Sequence, residues 1–208
     1  MVIPPHTAEG KRYHRLMSRQ TKKEGARRRA ARAEWTVEPA AQADICRGLV
    51  PRGHGERVTL VAVALAYSRA SWFEYCAREE DEGPGLLRVL EHAWGFFGGA
   101  PRTWRCDMAA APGRAHGAVE ELARRYGAQW LRGVACKPGA AGCGEVALRQ
   151  VPARLLAQVV LRDLDEANRL LRDFAREHLQ RPHPGQAGLS VGDVLDGERG
   201  HLLPPGAR

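Results

Sequence analysis

The sequence predicts an α/β domain: a mixed sheet flanked by helices and preceded by a basic N-terminal arm. Three observations lead there. Short runs of β-branched and aromatic residues alternate with stretches whose apolar residues recur at helical spacing, in the order strand, strand, strand, helix, strand, helix, strand, helix. The first strands are joined by loops, which makes antiparallel pairing natural among them. Nearly all the excess positive charge sits before Trp35.

The first strand closes on Ala43-Asp44-Ile45-Cys46, and residues 47–56, rich in Gly and Pro, are expected to be a loop. Residues 58–66 form a continuous apolar run, β-branched at its start, that fits a strand buried on both faces. Tyr67-Ser68-Arg69 turns the chain into a strand over residues 71–76, which carries Trp72, Phe73 and Tyr75. An acidic loop follows over residues 78–83. Leu86, Leu90, Ala93 and Phe97 mark a helix that Gly98, Gly99 and Pro101 terminate.

Residues 103–106 read as a short strand delivering Asp107 at its end. Val119, Leu122, Ala123 and Tyr126 mark an amphipathic helix stopped by Gly127, and residues 129–135 a further strand. Residues 137–144 form a glycine-rich loop, and a helix starts around Glu145 until Pro152 breaks or kinks it. Asp163 and Glu166 suggest a capping box for the helix carrying Leu164, Ala167, Leu171 and Phe174. From Pro182 onward Gly and Pro dominate. The layout expected is an arm or linker over residues 1–35, a core over 36–182 and an extended tail over 183–208.

The chain has 208 residues, 44% hydrophobic and 27% charged, the composition of a soluble globular protein. No apolar run reaches the ~20 residues of a membrane helix and no signal peptide opens the chain, so a cytoplasmic protein without membrane contact is expected. The five cysteines form no C-x-x-C pair, which favours free thiols over a zinc site. The eight histidines make no H-x-x-x-H pair, and no Gly-Lys-Ser/Thr closes the glycine loop as a phosphate-binding loop would. Trp72, Trp94, Trp104 and Trp130 fall within predicted elements and are read as core residues rather than base-stacking platforms.

Of the net charge of +8, the arm carries +7, from ten bases against three acids. Lys22, Lys23, Arg27, Arg28, Arg29 and Arg32 are its candidate phosphate contacts, because each cation placed at a phosphate releases condensed counterions. A solvated linker fits the same charge equally well.

Three acids stand at the edges of predicted elements: Asp44 in the first strand, Asp107 at the end of a later one, and Glu145 opening a helix. Phosphodiester chemistry with hard divalent cations needs oxygen ligands gathered in one place, and three such carboxylates could supply them. By spacing alone the signal is weak, since single acids at such positions are mostly caps or solvated residues.

Several motifs in order make a more specific signal. Pro39-Ala40-Ala41-Gln42-Ala43-Asp44, Tyr67-Ser68-Arg69, the run from Phe96 to Arg102, Glu121 to Gly127, and Lys137-Pro138 through to Glu145 follow one another. Downstream come Leu164 to Asn168, Arg181-Pro182-His183, Glu198-Arg199 and Leu202-Leu203-Pro204. In this order they resemble insertion-sequence transposases of the IstA type, whose catalytic core belongs to the retroviral-integrase superfamily. The resemblance runs from Pro39 to Pro204.

It implies an RNase H-like fold and metal-dependent DNA strand cleavage followed by strand transfer. Asp44, Asp107 and Glu145 become the catalytic and metal-binding triad, holding two ions, Mg²⁺ or Mn²⁺, with Asp44 bridging them. Lys137, with Arg69, is a further candidate for nucleic-acid binding, and surface salt bridging fits both residues at least as well. The implied partners are DNA, as transposon ends and target, further copies of the chain, and an accessory ATPase.

The chain also departs from the pattern. Ile45-Cys46 follow Asp44 where the family has an aromatic residue and Gly, and Met108 stands where it has Asn. Gly139, Ala140, Ala141, Gly142, Cys143 and Gly144 replace its several lysines, a loss that weakens phosphate contacts beside the site. The upstream helix-turn-helix and the C-terminal β-barrel of full-length members are not expected in this chain. Two other readings therefore stand beside the enzyme: a truncated, inactive remnant acting as a DNA-binding fragment, and a simple metal-dependent nuclease.

Overall fold

A computed structural model describes residues 43–53, 56–77, 83–106, 114–132, 143–156 and 163–204. Among the described residues, five strands form one sheet in the order β3-β2-β1-β4-β5. β1 (Ala43–Gly53), β2 (Glu56–Leu65) and β3 (Ser71–Ala77) make an antiparallel meander. β4 (Thr103–Cys106) then adds parallel to β1, and β5 (Gln129–Arg132) parallel to β4. The change from hairpins to parallel strands coincides with the first helical crossover, because a parallel pair needs a long connection and an antiparallel pair does not.

β2 is the hydrophobic spine. Residues 58–66 are buried throughout, as a strand covered on both faces requires. Neighbouring residues of β3 show what covers it. Trp72 sends its ring toward Phe96 of α1 (Pro84–Phe97), 5.1 Å between centroids, while Phe73 meets Phe174 of α4 (Leu164–Leu179) at 5.3 Å. Since successive strand residues point to opposite faces, α1 and α4 cover opposite sides of the sheet. Trp104 of β4 packs against Trp94 of α1 and Tyr126 of α2 (Arg114–Tyr126), extending the α1 side to β4. Trp72, Trp94 and Trp104 are core residues, and Trp130 is half-buried.

Caps set the helix ends. Pro84 opens α1, where a missing N–H costs nothing, and Gly98 closes it in the left-handed conformation at φ 89°. Asp163 accepts a hydrogen bond from the Glu166 N–H at 2.7 Å to start α4. α3 (Cys143–Gln150) ends before Pro152. No helix among the described residues is long and apolar enough to cross a membrane.

Two expectations need correction. The segment read as a Gly/Pro loop after Cys46 is strand, since β1 continues to Gly53 with an irregularity in register between Pro51 and Gly53. Pro51 stands beside that irregularity and beyond the stretch paired with β4, Ala43 to Ile45, positions at which a strand tolerates proline. The helix expected around Glu145 is α3, which starts at Cys143 and holds Glu145 in its first turn.

The C-terminal segment is not an extended tail. It forms α5 (Val191–Glu198), opened by a capping box between Ser190 and Asp193, and a 3₁₀ turn over Arg199–His201. It then makes a bridge between Leu203 and Ala100. Val191 and Leu195 belong to the core, so apolar burial outweighs the turn-prone composition.

Candidate active site

Asp44 is the second residue of β1, set opposite Ala64 of β2 and Arg105 of β4. It therefore occupies the middle strand of the sheet, near the junction between the antiparallel and parallel halves. β4 ends at Cys106, opposite Ile45. Asp107, next in the chain, lies outside the described residues, as do Lys137 and the arm residues Lys22, Lys23, Arg27, Arg28, Arg29 and Arg32.

Glu145 is the third residue of α3, in the first turn, where the helix dipole favours an acid. Its side chain is 44% exposed and ion-paired with Arg149 one turn later. Such an exposed i,i+4 pair contributes only about 0.3–0.5 kcal/mol. The carboxylate can therefore exchange the guanidinium for another cation at little cost.

The start of α3 rests on the sheet. Cys143 and Gly144 are buried, as is Ala147 one turn on, and these small side chains allow a close approach. The Cys143 thiol donates to the Ala64 carbonyl at 3.3 Å, at the strand position facing Asp44. Two of the three acids thus belong to elements in contact, a strand and the helix docked across from it. Among the described residues, no three His, Cys, Asp or Glu side chains form a group able to hold a metal ion.

Other polar residues do structural work that the sequence reading did not assign. Glu74 of β3 is buried and meets three donors: Trp72 Nε1 at 3.1 Å, His92 Nδ1 at 2.9 Å and Arg88 Nε at 3.7 Å. With Arg88 and His92 on α1, this charge ties the helix to the edge strand, and its partners offset the cost of burying it. Asn168 of α4 accepts from the Tyr75 N–H at 2.7 Å and donates to the Tyr75 carbonyl at 3.0 Å, occupying backbone groups of the β3 edge. Burial raises the Tyr75 phenol to about 12. Cys76 and Cys143 are buried as thiols, outside any disulfide.

The C-terminal residues of the resemblance meet its earlier motifs. Glu198 accepts from the Ser68 N–H at 3.1 Å, and His183 Nε2 lies 3.1 Å from the Tyr67 carbonyl. Arg199 Nε donates to the Phe97 carbonyl at 3.1 Å, and Leu203 exchanges both backbone bonds with Ala100. These motifs form a tertiary junction. A visible trace of it is a polar residue on an apolar helix face: Asn168 and His178 fall on the stripe of Ala167, Leu171, Phe174 and Ala175.

No known family model matches the sequence, and no curated protein is significantly similar to it. The fold has solved counterparts. The HTLV-2 integrase catalytic core domain in complex with magnesium is similar in its dimeric form (TM-score 0.53, 13% identity) and its trimeric form (0.55, 14%). In both comparisons the likeness covers 76% of this chain and 97% of the other. The simian T-cell lymphotropic virus intasome in complex with PP2A regulatory subunit B56 gamma is similar at a TM-score of 0.55 and 13% identity. There it covers 76% of this chain and 54% of the other. The fold is that of retroviral integrase catalytic cores, a mixed α/β architecture.

Proposed function

We propose that this chain is the catalytic core of a DNA transposase of the insertion-sequence kind, carrying out metal-dependent strand cleavage and strand transfer. The observation that carries the reading is the docking of α3 on the sheet: the helix bearing Glu145 touches the strand position opposite Asp44, in a fold shared with integrase cores. The motifs from Pro39 to Pro204 supply the finer assignment to the IstA type.

In this reading Asp44, Asp107 and Glu145 hold the metal. Carboxylate oxygens are hard ligands suited to Mg²⁺ or Mn²⁺, and the solved HTLV-2 cores are magnesium complexes. Two bound ions would neutralise charge on the scissile phosphate and activate the attacking oxygen. The chain's own contribution is positional. β1 and β4 set the strand positions, the Cys143 contact seats α3, and Glu145 gives up Arg149 when the site is filled. The basic arm, with Lys22, Lys23, Arg27, Arg28, Arg29 and Arg32, and Lys137 in the glycine loop, would hold DNA by its phosphates. The working assembly is read as a homo-oligomer on transposon ends and target, served by an accessory ATPase.

The lysine-free run before Glu145 supports a second reading, an inactive DNA-binding remnant. Incubation with supercoiled plasmid across a Mg²⁺ and Mn²⁺ titration separates the two, with a labelled 3′-hydroxyl oligonucleotide reporting strand transfer. Metal-dependent nicking with label joined to plasmid supports the transposase. Nicking without joining supports a nuclease on the same fold, and binding without nicking supports the remnant.

A further inference from the structure

The turn between β2 and β3 is gripped by the chain running from the end of α4 through α5. The Tyr67 carbonyl accepts from His183 Nε2 at 3.1 Å, and the Arg69 carbonyl from His178 Nε2 at 3.1 Å. Between them the Ser68 N–H donates to Glu198 at 3.1 Å, and Gln186 Nε2 donates to the Tyr67 hydroxyl at 3.1 Å. Arg69 sits at φ 64°, a left-handed conformation that a non-glycine residue rarely adopts. Such a conformation persists where surrounding contacts over-determine it.

The bonding pattern fixes the protonation state of both histidines. His183 Nδ1 accepts from the Gly185 N–H at 3.3 Å and the Gln186 N–H at 3.0 Å, so its proton lies on Nε2, directed at Tyr67. A second proton, on Nδ1, would face two N–H donors. His178 spends its Nε2 proton on Arg69, and its buried Nδ1 meets no hydrogen-bond partner among the described residues. Both residues are 5% exposed. The charged neighbours also oppose protonation: Arg181, beyond the end of α4, acts on His178, and Arg69, in the turn, acts on His183. The carboxylate that α5 brings to the turn, Glu198, is bonded to Ser68. Burial holds both imidazoles below their ordinary range.

We propose that His178 and His183 are a proton-operated latch: neutral, they hold the C-terminal segment on the Tyr67–Arg69 turn, and protonation releases that segment while β1, β2 and β3 stay paired. The ladders of β1, β2 and β3 use neither histidine nor any residue of the released segment, which takes Val191, Leu195 and Leu202 from the core with it.

The direction follows from linkage. The folded values are depressed, so the released state takes up protons more readily. The latch is fully closed above the free imidazole value of about 6.5 and opens as pH falls from there toward the folded values. Within that window each histidine raises the opening equilibrium by up to about tenfold per pH unit.

Hydrogen exchange of the full chain, followed by mass spectrometry at pH 7.5 and 5.5 and corrected for intrinsic exchange, tests this. Residues 183–203 and 66–70 are expected to lose protection at pH 5.5 while residues 58–65 keep theirs. His183→Asn retains an acceptor for the Gly185 and Gln186 amides without a titrating ring, and His178→Gln retains a donor for Arg69. Each alone should reduce the pH dependence from up to about 100-fold to about tenfold per unit, and the pair should remove it. Equal loss of protection over residues 58–65 would overturn the latch in favour of global acid unfolding. No loss in the wild type, or full pH dependence in either single variant, would also overturn it. The wild-type comparison of segment against sheet decides the matter even if the double variant does not fold.

Discussion

The Cys143 thiol lies 3.3 Å from the carbonyl oxygen of Ala64, the residue that β2 sets opposite Asp44. The contact ties the first turn of α3 to β2, the strand beside the one that carries Asp44. Cys143→Leu adds volume at a buried site and is expected to cost about 1–3 kcal/mol. Cys143→Ser keeps both size and donor. Urea denaturation measures the stability. On the proposed reading, Cys143→Leu also weakens metal dependence in the fraction that remains folded, and Cys143→Ser does so less.

Asn168 protects the β3 edge. Asn168→Leu keeps the volume but strips the Tyr75 N–H and carbonyl of their partners, each worth about 1–3 kcal/mol when left buried and unpaired. A loss of about 2–4 kcal/mol in urea midpoint analysis is expected. Light scattering should rise as well, because uncovered edge groups invite pairing with another chain. A variant as stable and monodisperse as the wild type would show that the two bonds are dispensable.

Gly99 is needed where α1 meets the C-terminal segment. A Cβ there would lie 2.6 Å from the Leu203 carbonyl oxygen and 2.7 Å from the Leu202 Cβ, so Gly99→Ala must disturb the Ala100–Leu203 bridge. A cost of about 1–3 kcal/mol is expected. Removing residues 200–208 in the same chain should make Gly99→Ala nearly neutral, since the atoms it strikes are gone. An undiminished cost in the shortened chain would place the strain elsewhere.

These positions show what the sequence made legible. The order of strands and helices followed from hydrophobic period, which the core enforces: residues 58–66 are buried on both faces and Leu86, Leu90, Ala93 and Phe97 on one. Composition misled in two places. Gly48, Pro51 and Gly53 made β1 look like loop, although proline and glycine are tolerated where a strand has one neighbour. The Gly/Pro run after Pro182 hid α5, although Ser190 and Asp193 stand at capping-box spacing and could have revealed it.

For the candidate site, the helix carrying Glu145 and the strand carrying Asp44 were legible. The seat between them was not, because the Cys143–Ala64 contact joins residues 79 positions apart, a separation no local pattern reports. Asp107, Lys137 and the arm lie outside the described residues and remain proposals.

The arm's charge makes a separate prediction. Deleting residues 1–34 removes ten cations and should weaken binding to any duplex. It should also flatten the plot of log affinity against log salt, by roughly one unit of slope for each phosphate that the arm neutralises. Fluorescence anisotropy with two unrelated duplexes at several salt concentrations measures both. Unchanged affinity and slope would assign the arm to linker duty.

Restoring cations beside the site tests why this chain departs from the transposases it resembles. Gly139→Lys with Ala141→Lys should raise metal-dependent cleavage by returning charge next to the scissile phosphate. Initial nicking rates for variant and wild type decide it. Equal rates would mean that the lysine-free loop is not what limits the reaction.

The most direct test of the proposed site is the effect of removing each acid on nicking of supercoiled DNA in Mg²⁺ or Mn²⁺, with circular dichroism confirming that the variants fold. Asp44→Asn, Asp107→Asn and Glu145→Gln should each abolish metal-dependent nicking that the wild type performs, because a neutral amide cannot balance the charge of the ions. A wild type without activity in either metal, or folded variants that nick as fast as the wild type, would contradict the assignment of Asp44, Asp107 and Glu145.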